Sequence, residues 1–343
     1  MVAWFEESRL DDETALSHAD AALRNLAESG ARVRRDAGEA QFALSQAVAI
    51  AQAQGRPRAV VAAGPDSRLL RAALEPWCPV PFVAWPNPGL PGWAGSLDLV
   101  VVLAPDGGDV GTASAVAEAV RRGSQVVVAC PERSLVADHA AGRWSTILPT
   151  ASRDQLATAV LVLEYLDRVD LGPSADHEQV ADALDGVAMA CSPHRDIAVN
   201  PAKMLAIALA DAIPVVWGGS MLAARAARRV AESIRRANGR TAIAGDAEHL
   251  LPVIEAATPR NVFDDPFDDE PSDLRPVLVV LDDGAEDPAV REQRGRLLAA
   301  AAEHGVRTET VSTDATSEVA RYASLLLSGR YASEYLAIGL VSQ

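Results

Sequence analysis

Cysteine is scarce in this chain: Cys78, Cys130 and Cys191 stand far apart and are odd in number. That excludes a disulfide scaffold and gives no zinc-ligand spacing, so all three read as reduced thiols of the core. Basic residues are outnumbered, with Lys+Arg 31 against Asp+Glu 47 and a net charge of −16. No basic stripe exists to neutralise nucleic-acid phosphates, and anionic lipid would repel the chain, so neither nucleic acid nor membrane is an expected partner. No apolar run approaches the roughly 18 residues of a membrane span. The start, Met1-Val2-Ala3-Trp4-Phe5-Glu6-Glu7, carries acids where a signal peptide needs bases, and the expected location is the cytoplasm. His18, His139, His177, His194, His249 and His304 form no spaced cluster, so no metal is expected, and nothing calls for a cofactor.

What the chain does have is apolar content, 49% of its 343 residues, enough for a sizeable core and about two domains. After an amphipathic N-terminal stretch containing Leu16, Leu23 and Leu26, a helix pattern runs from Gly38 to Gln54. Short continuous apolar runs follow at Ala59 to Ala63, Val80 to Val83, Leu97 to Leu103 and Gln125 to Ala129. Helix patterns sit among them at Ser67 to Leu74 and Val110 to Arg122. Such runs alternating with helices are the pattern of a parallel sheet covered on both faces.

A helix pattern from Arg153 to Arg168 leads into Leu171-Gly172-Pro173, which reads as a hinge because Gly and Pro both stop helices. The scheme then repeats. Strands are expected at Ile213 to Trp217, Arg240 to Ile243, Pro276 to Leu281 and Arg307 to Val311. Helices are expected at Met221 to Ala237, Ala247 to Ala256, Asp287 to His304 and Ser317 to Leu340. The fold class is α/β, two doubly wound parallel-sheet domains over residues 1–170 and 171–343. Between Thr258 and Pro276 the pattern fails, and Asp264, Asp265, Asp268, Asp269 and Glu270 crowd around two prolines. The run lacks the spacing and glycine of a calcium loop and reads as a solvated acidic loop. The three-part unit of helix start, strand and glycine turn from Asn200-Pro201-Ala202-Lys203 to Ile213-Pro214-Val215-Val216-Trp217-Gly218-Gly219 is where such a fold holds its ligand.

That unit resembles the start of the second domain of the bifunctional phosphoglucose/phosphomannose isomerases, which are two-domain sugar isomerase (SIS) proteins. Cys78-Pro79-Val80-Pro81, the unit from Leu97 to Arg121-Arg122-Gly123 and the terminal Tyr331-Ala332-Ser333-Glu334-Tyr335-Leu336-Ala337 follow the same order. The chain also resembles the divergent actinobacterial branch of TobH-like phosphosugar isomerases. The resemblance implies two SIS domains, aldose-ketose isomerisation of a hexose 6-phosphate, a homodimer, and a sugar phosphate as small-molecule partner.

The chemistry implied needs a phosphate cradle, a ring-opening group and a base that moves a proton between C2 and C1 through a cis-enediol. In the cradle, Ala104, Asp106 and Asp109 occupy the places of the family's three hydroxyl residues, and Gly107 is kept. Two carboxylates within about 5 Å of a phosphate would repel it by a few kcal/mol at the effective dielectric of a partly buried site. Thr112 and Ser114 lie one turn on, either as substitutes or as ordinary helix N-terminal residues. The first glycine turn, Ala63-Gly64-Pro65-Asp66-Ser67, has Pro65 and Asp66 where the family has a Gly-x-Gly-Gly-Ser stretch; Asp66 or Ser67 is expected to cap the next helix. The family's glutamate base maps to Ser233-Ile234-Arg235-Arg236-Ala237-Asn238, and arginine stays protonated. Glu232 reaches the site only with a shifted register. His249, within Asp246-Ala247-Glu248-His249, stands near the place of the ring-opening histidine. No residue takes the place of the family's C-terminal lysine. Candidate acid-base residues are therefore His249, Glu232 and Glu248, and candidate ligand contacts are Ser67, Gly107, Thr112 and Lys203. Lys203, the only lysine, either holds a sugar hydroxyl, bridges subunits or orders the inter-domain junction. Three functions remain open: an isomerase of reduced activity, a catalytically silent phosphosugar sensor or partner protein, and a nucleotide-binding protein. Against the last, no Gly-x-Gly-x-x-Gly follows the first strand.

Overall fold

The computed structural model describes residues 4–257 and 274–341, so the acidic run from Asp264 to Glu270 lies outside the described residues. The chain forms two compact units. The N-terminal unit comprises Ser29–Ala183 with Thr316–Ala320, and the C-terminal unit takes Leu184–Ala315 and the residues from Arg321 on. The described residues up to Glu28 count with the C-terminal unit. The units are thus divided elsewhere than at residue 170. The expected hinge at Leu171-Gly172 is an interior feature of the N-terminal unit: Leu171 is buried, and a Cβ on Gly172 would stand 3.1 Å from Leu166 and 3.2 Å from Leu74.

Strand β1 (Trp4–Phe5) and helices α1 (Glu13–His18) and α2 (Asp20–Ala27) open the chain. Helix α3 (Ser29–Gln54) starts well before Gly38, because its first turns are held by tertiary contacts that periodicity does not show. Arg32 pairs with Asp154 at 3.0 Å, and the fully buried Asp36 carboxylate accepts from the Ala151 and Ser152 amides at 3.0 Å. The sheet of this unit is built from β2 (Val60–Ala63), β3 (Phe82–Trp85), β4 (Leu99–Leu103), β5 (Gln125–Cys130) and β6 (Ser145–Pro149). All pairings are parallel, in the order β3-β2-β4-β5-β6. The helices between and after them are α4 (Ser67–Leu74), α5 (Val110–Arg121), α6 (Leu135–His139) and α7 (Gln155–Arg168). Val61, Val100, Val102, Val126 and Val128 pack against Ala113, Val116 and Val136 of α5 and α6. Helices α3, α4 and α7 cover the other face, which is why β2 and β4 are apolar at every position. Strand β3 begins two residues later than its pattern suggests, since Pro79 and Pro81 have no N–H to give the ladder. Strand β6 escapes sequence reading because its edge position tolerates Ser145 and Thr146.

Helix α8 (His177–Ala190), unforeseen, is followed by α9 (Pro201–Ala208). The second sheet consists of β7 (Ala212–Gly218), β8 (Ile243–Ala244), β9 (Arg275–Asp282) and β10 (Arg307–Ser312), all parallel in the order β10-β9-β7-β8. Helices α10 (Met221–Asn238), α11 (Ala247–Glu255), α12 (Pro288–Glu303) and α13 (Glu318–Gly339) accompany it, and β11 (Leu340–Val341) ends the described chain. Val215 and Trp217 of β7 and Leu278 and Val280 of β9 pack against Leu250, Ile254 and Leu297 of α11 and α12. The buried residues of α10 lie outside this cluster, so α10 covers the opposite face, as right-handed crossovers on either side of β7 require.

Asn200 and Lys203 form a knot in this unit. Asn200 accepts from the Ala202 and Lys203 amides, both at 3.1 Å, and Pro201 starts the helix beyond it. Lys203, the only lysine in the chain, is fully buried. Its ammonium donates to Asp11 at 2.6 Å and to the Pro193 and Arg195 carbonyls at 2.9 Å, and it lies 5.5 Å from the Tyr335 ring centre. The N-terminal segment is further tied by β1 pairing antiparallel with β11 and by the Arg9 Nε bond to the Ile338 carbonyl at 2.8 Å. Cys130 and Cys191 are buried free thiols, pushed up to about 11 and about 12 by desolvation. Among the described residues no helix is long and apolar enough to cross a membrane.

Acetylation with an amine-reactive ester should leave the Lys203 peptide unmodified in the native protein and modify it in urea, read by mass spectrometry. Asp11→Ala, which leaves the ammonium without its anion, should cost about 3 kcal/mol in urea denaturation. Native-state modification of Lys203 would contradict the burial.

Candidate functional site

In each sheet the chain reverses direction once, between β2 and β4 and between β7 and β9. The loops leaving the carboxyl ends of such strand pairs diverge to opposite faces and open a crevice. In the N-terminal unit this crevice is lined by Gly64 to Ser67 and by Ala104 to Thr112. Gly64 has φ +90°, and a Cβ there would sit 3.0 Å from Thr112 Oγ1, so the turn runs close against the first turn of α5. Ser67 is 1% exposed and its hydroxyl has no hydrogen-bond partner. Asp66, expected as a cap, makes no cap bond and instead accepts from Gln155 Nε2 at the start of α7.

The start of α5 is closed by the chain itself. Asp109 is the N-cap, and its Oδ2 accepts from the Thr112 amide at 2.6 Å and the Thr112 hydroxyl at 2.7 Å. The positive end of the helix thus faces a carboxylate already in place. Gly107 has φ +65°, and a Cβ would stand 2.4 Å from Ser134 Cβ, fixing this loop against the start of α6. Asp106 and Asp109 both face solvent, and the buried Thr112 hydroxyl is engaged. The loop accepts hydrogen bonds well, which suits sugar hydroxyls, and presents negative charge to a phosphate.

The second crevice has the same character. A Cβ on Gly218 would lie 2.3 Å from the Ala223 backbone, and one on Gly219 would lie 2.2 Å from Val290. Ser220 caps α10 by accepting from the Ala223 amide at 3.0 Å and donates to Asp283. Arg321 donates to the Asp283 carbonyl at 3.1 Å, and Arg294 pairs with Asp282 at 2.5 Å.

The sequence candidates divide. Ser67, Gly107 and Thr112 all lie on the loops of the first crevice. Glu232 stands about 18 Å along α10 from Ser220, with its oxygens held by Arg229 at 2.5 Å and Arg236 at 2.6 Å. Glu248 and His249 begin α11 on the other face of the same sheet; both are exposed, and Glu248 approaches Arg296 at 3.5 Å. The register shift that would bring Glu232 into an acid-base site with His249 is absent. Lys203, with its three protons donated, has none left for a sugar hydroxyl.

Three residues of this unit were missed. Glu334 on α13 is half-buried, and burial raises its carboxyl above the usual range against the opposing pull of Arg330. Burial lowers the Arg225 guanidinium on α10 and raises the Tyr322 hydroxyl on α13, each partly offset by the charge of the other. The Arg225 and Arg229 spacing, one helical turn, was visible in the sequence; a partner almost a hundred residues away was not. Among the described residues no group of three His, Cys, Asp or Glu side chains is arranged to hold a metal.

Residues 198–340 match the family model of the bacterial phospho-glucose isomerase C-terminal SIS domain. Solved structures extend the likeness over nearly the whole chain. Tagatose-6-phosphate ketose/aldose isomerase from Escherichia coli matches with a TM-score of 0.67, 12% identity and 92% of each chain covered. The chain has the SIS fold. The C-terminal domain of glucosamine-fructose-6-phosphate aminotransferase from Francisella tularensis matches at 0.55, with 12% identity over 90% of this chain and 95% of that one. A glucose-6-phosphate isomerase like protein from Thermus thermophilus matches at 0.50, with 16% identity over 81% and 80%. Among curated proteins, none matches by sequence. Residues 198–340 thus match an SIS domain, and the solved structures share the fold of the chain.

Gly107→Ala should cost about 2–3 kcal/mol, combining a left-handed backbone with an overpacked contact, whereas Ser67→Ala should change stability by less than about 1 kcal/mol because no bond is lost. Glu334→Gln should raise the Tm at neutral pH. A carboxyl raised on folding destabilises the native state while ionised, so the advantage should shrink as pH falls through its native pKa; thermal melts across that range check the sign.

Proposed function

We propose that this protein is an SIS-family phosphosugar-binding protein, recognising a hexose 6-phosphate of the glucose, mannose or fructose series, with aldose-ketose isomerase turnover reduced or lost. The carrying observation is the separation of the acid-base candidates: Glu232 is held between two guanidiniums on α10, and His249 and Glu248 begin α11 on the opposite face of the sheet. An enediol mechanism needs its base within hydrogen-bond reach of the C1/C2 protons, and no such pairing of these residues exists. The domain match at residues 198–340 and the names of the neighbouring structures support the ligand class. A homodimer and a place in the TobH-like branch belong to the same reading and rest on the family resemblance. A fully active isomerase is the second reading, favoured by the half-buried Glu334, whose raised pKa suits a general base.

Coupled assays with glucose, mannose and fructose 6-phosphates, beside thermal shift with the same ligands, separate the two. The proposal expects a saturable Tm rise with kcat/KM at least ~100-fold below an ordinary 10⁴–10⁸ M⁻¹s⁻¹ enzyme. Efficient turnover that is lost in Glu334→Gln or His249→Ala supports the second reading. Neither turnover nor a shift would sink both.

A further inference from the structure

Helix α3 has two unlike faces. Val33, Ala37, Ala40, Leu44 and Ala47 are buried on the side that packs against α7 and β6. The opposite side is exposed, and from Ala40 to Gly55 the chain carries no charged residue at all. Solvent faces of helices are ordinarily charged. Helix α10 shows Arg228, Arg235 and Arg236 to solvent, and α12 shows Arg291, Glu292 and Arg296. In place of charge α3 presents Phe42, whose side of the helix leaves it 75% exposed.

The residues around Phe42 on that face are mostly small. Gly38, Phe42, Ser45, Ala49 and Gln52 are all exposed and recur at alternating steps of four and three residues, the spacing of a seam between two helices. The Ser45 hydroxyl donates to the Gln41 carbonyl of its own helix at 3.0 Å, so it offers the seam a compact surface with no proton left to give. A Cβ on Gly38 would meet nothing within 4 Å. Packing within the chain therefore gives no reason for a glycine that weakens the helix there, whereas the close approach of a second backbone does.

Charge decides what covers this face. A chain of net charge −16 repels its own copies. A copy can approach only where the contact surface is uncharged on both sides, while a basic partner would be drawn to acidic surface and gain nothing from a neutral one. We propose that the outer face of α3, centred on Phe42, Ser45 and Ala49, is the surface on which a second copy of this chain docks, helix antiparallel to helix. A two-fold axis beside Ser45 and Gln46 lays Phe42 of each copy over Ser45 and Ala49 of the other and sets Gly38 against Gln52 and Ala53. The contact is self-complementary, with the one large side chain meeting small ones in both directions. Glu39, at the margin, falls opposite Gln52 rather than its own copy. The proposal gives a surface to the homodimer of the functional reading and rests on that part of it alone.

Sedimentation velocity of the full chain over a concentration series tests it. Wild type should dimerise with a Kd below about 100 µM, as an interface at the small end of specific contacts requires, and added NaCl should tighten the dimer by screening its net charge. Phe42→Glu should weaken it at least tenfold, and so should Ala49→Arg, which crowds the place taken by Phe42 of the other copy. The Phe42→Glu, Ala49→Arg double variant should recover at least fivefold over either single one, because the register sets the introduced carboxylate against the introduced guanidinium across the axis. Leu97→Glu, which adds the same charge at another exposed apolar position of this unit, should leave the Kd within twofold. An undiminished dimer in Phe42→Glu, an equal loss in Leu97→Glu, or no recovery in the double variant overturns this surface and leaves the homodimer standing. A wild type that stays monomeric overturns both, and thermal shift with fructose 6-phosphate on the same samples then shows whether ligand binding survives without them.

Discussion

The first turn of a helix exposes amide groups that need acceptors, and in both sheets the helix leaving the reversal point finds them in the chain's own side chains. Asp109 closes α5 and Ser220, backed by Asp283, closes α10. This constraint shapes what lies around it. Thr112 turns its hydroxyl inward, Gly64 must approach that hydroxyl without a side chain, and Gly218 and Gly219 must be glycine for β7 to enter α10. At a helix start open to an anion such groups would face the ligand; in this chain the Thr112 amide and hydroxyl and the Ala223 amide are already bonded to Asp109 and Ser220.

The charge map follows from that arrangement. Carboxylates stand at the crevices, at Asp106 and Asp109 in one unit and at Asp282 and Asp283 in the other. The Lys203 knot is different in kind. Its ammonium is answered by Asp11 and two carbonyls, so it orders the segment ahead of α9 and the N-terminal residues without serving chemistry. The motif that first draws the eye, Asn200 to Lys203, is thus held by bonds of the fold itself.

The strands were legible wherever they are buried on both faces. Val60 to Ala63, Leu99 to Leu103 and Val277 to Leu281 announce themselves as apolar runs because nothing polar fits there. Legibility failed at the edges and at long-range pairings. Ser145 to Pro149 reads as polar loop, and Trp4-Phe5 meets Leu340-Val341 from the far end of the chain. At the candidate site, Ser67, Gly107 and Thr112 were found because turn glycines and helix starts are local features. Glu232 and His249 were candidates through the family resemblance; two right-handed crossovers running to opposite sides of β7 put their helices on opposite faces. Gly329 of α13 meets Val230 of α10 only once the two helices fold together, which no local pattern encodes.

The central claim is that the SIS fold persists here without an assembled enediol base. Incubating fructose 6-phosphate with the protein in D2O and following the C1 protons and the aldose products by NMR tests it directly, since a base that opens an enediol either exchanges the abstracted proton with solvent or returns it to the neighbouring carbon as isomerised sugar. The account predicts deuterium incorporation and aldose formation no faster than in buffer alone. Protein-dependent incorporation at C1 or aldose formation, abolished in Glu334→Gln or His249→Ala, would contradict it.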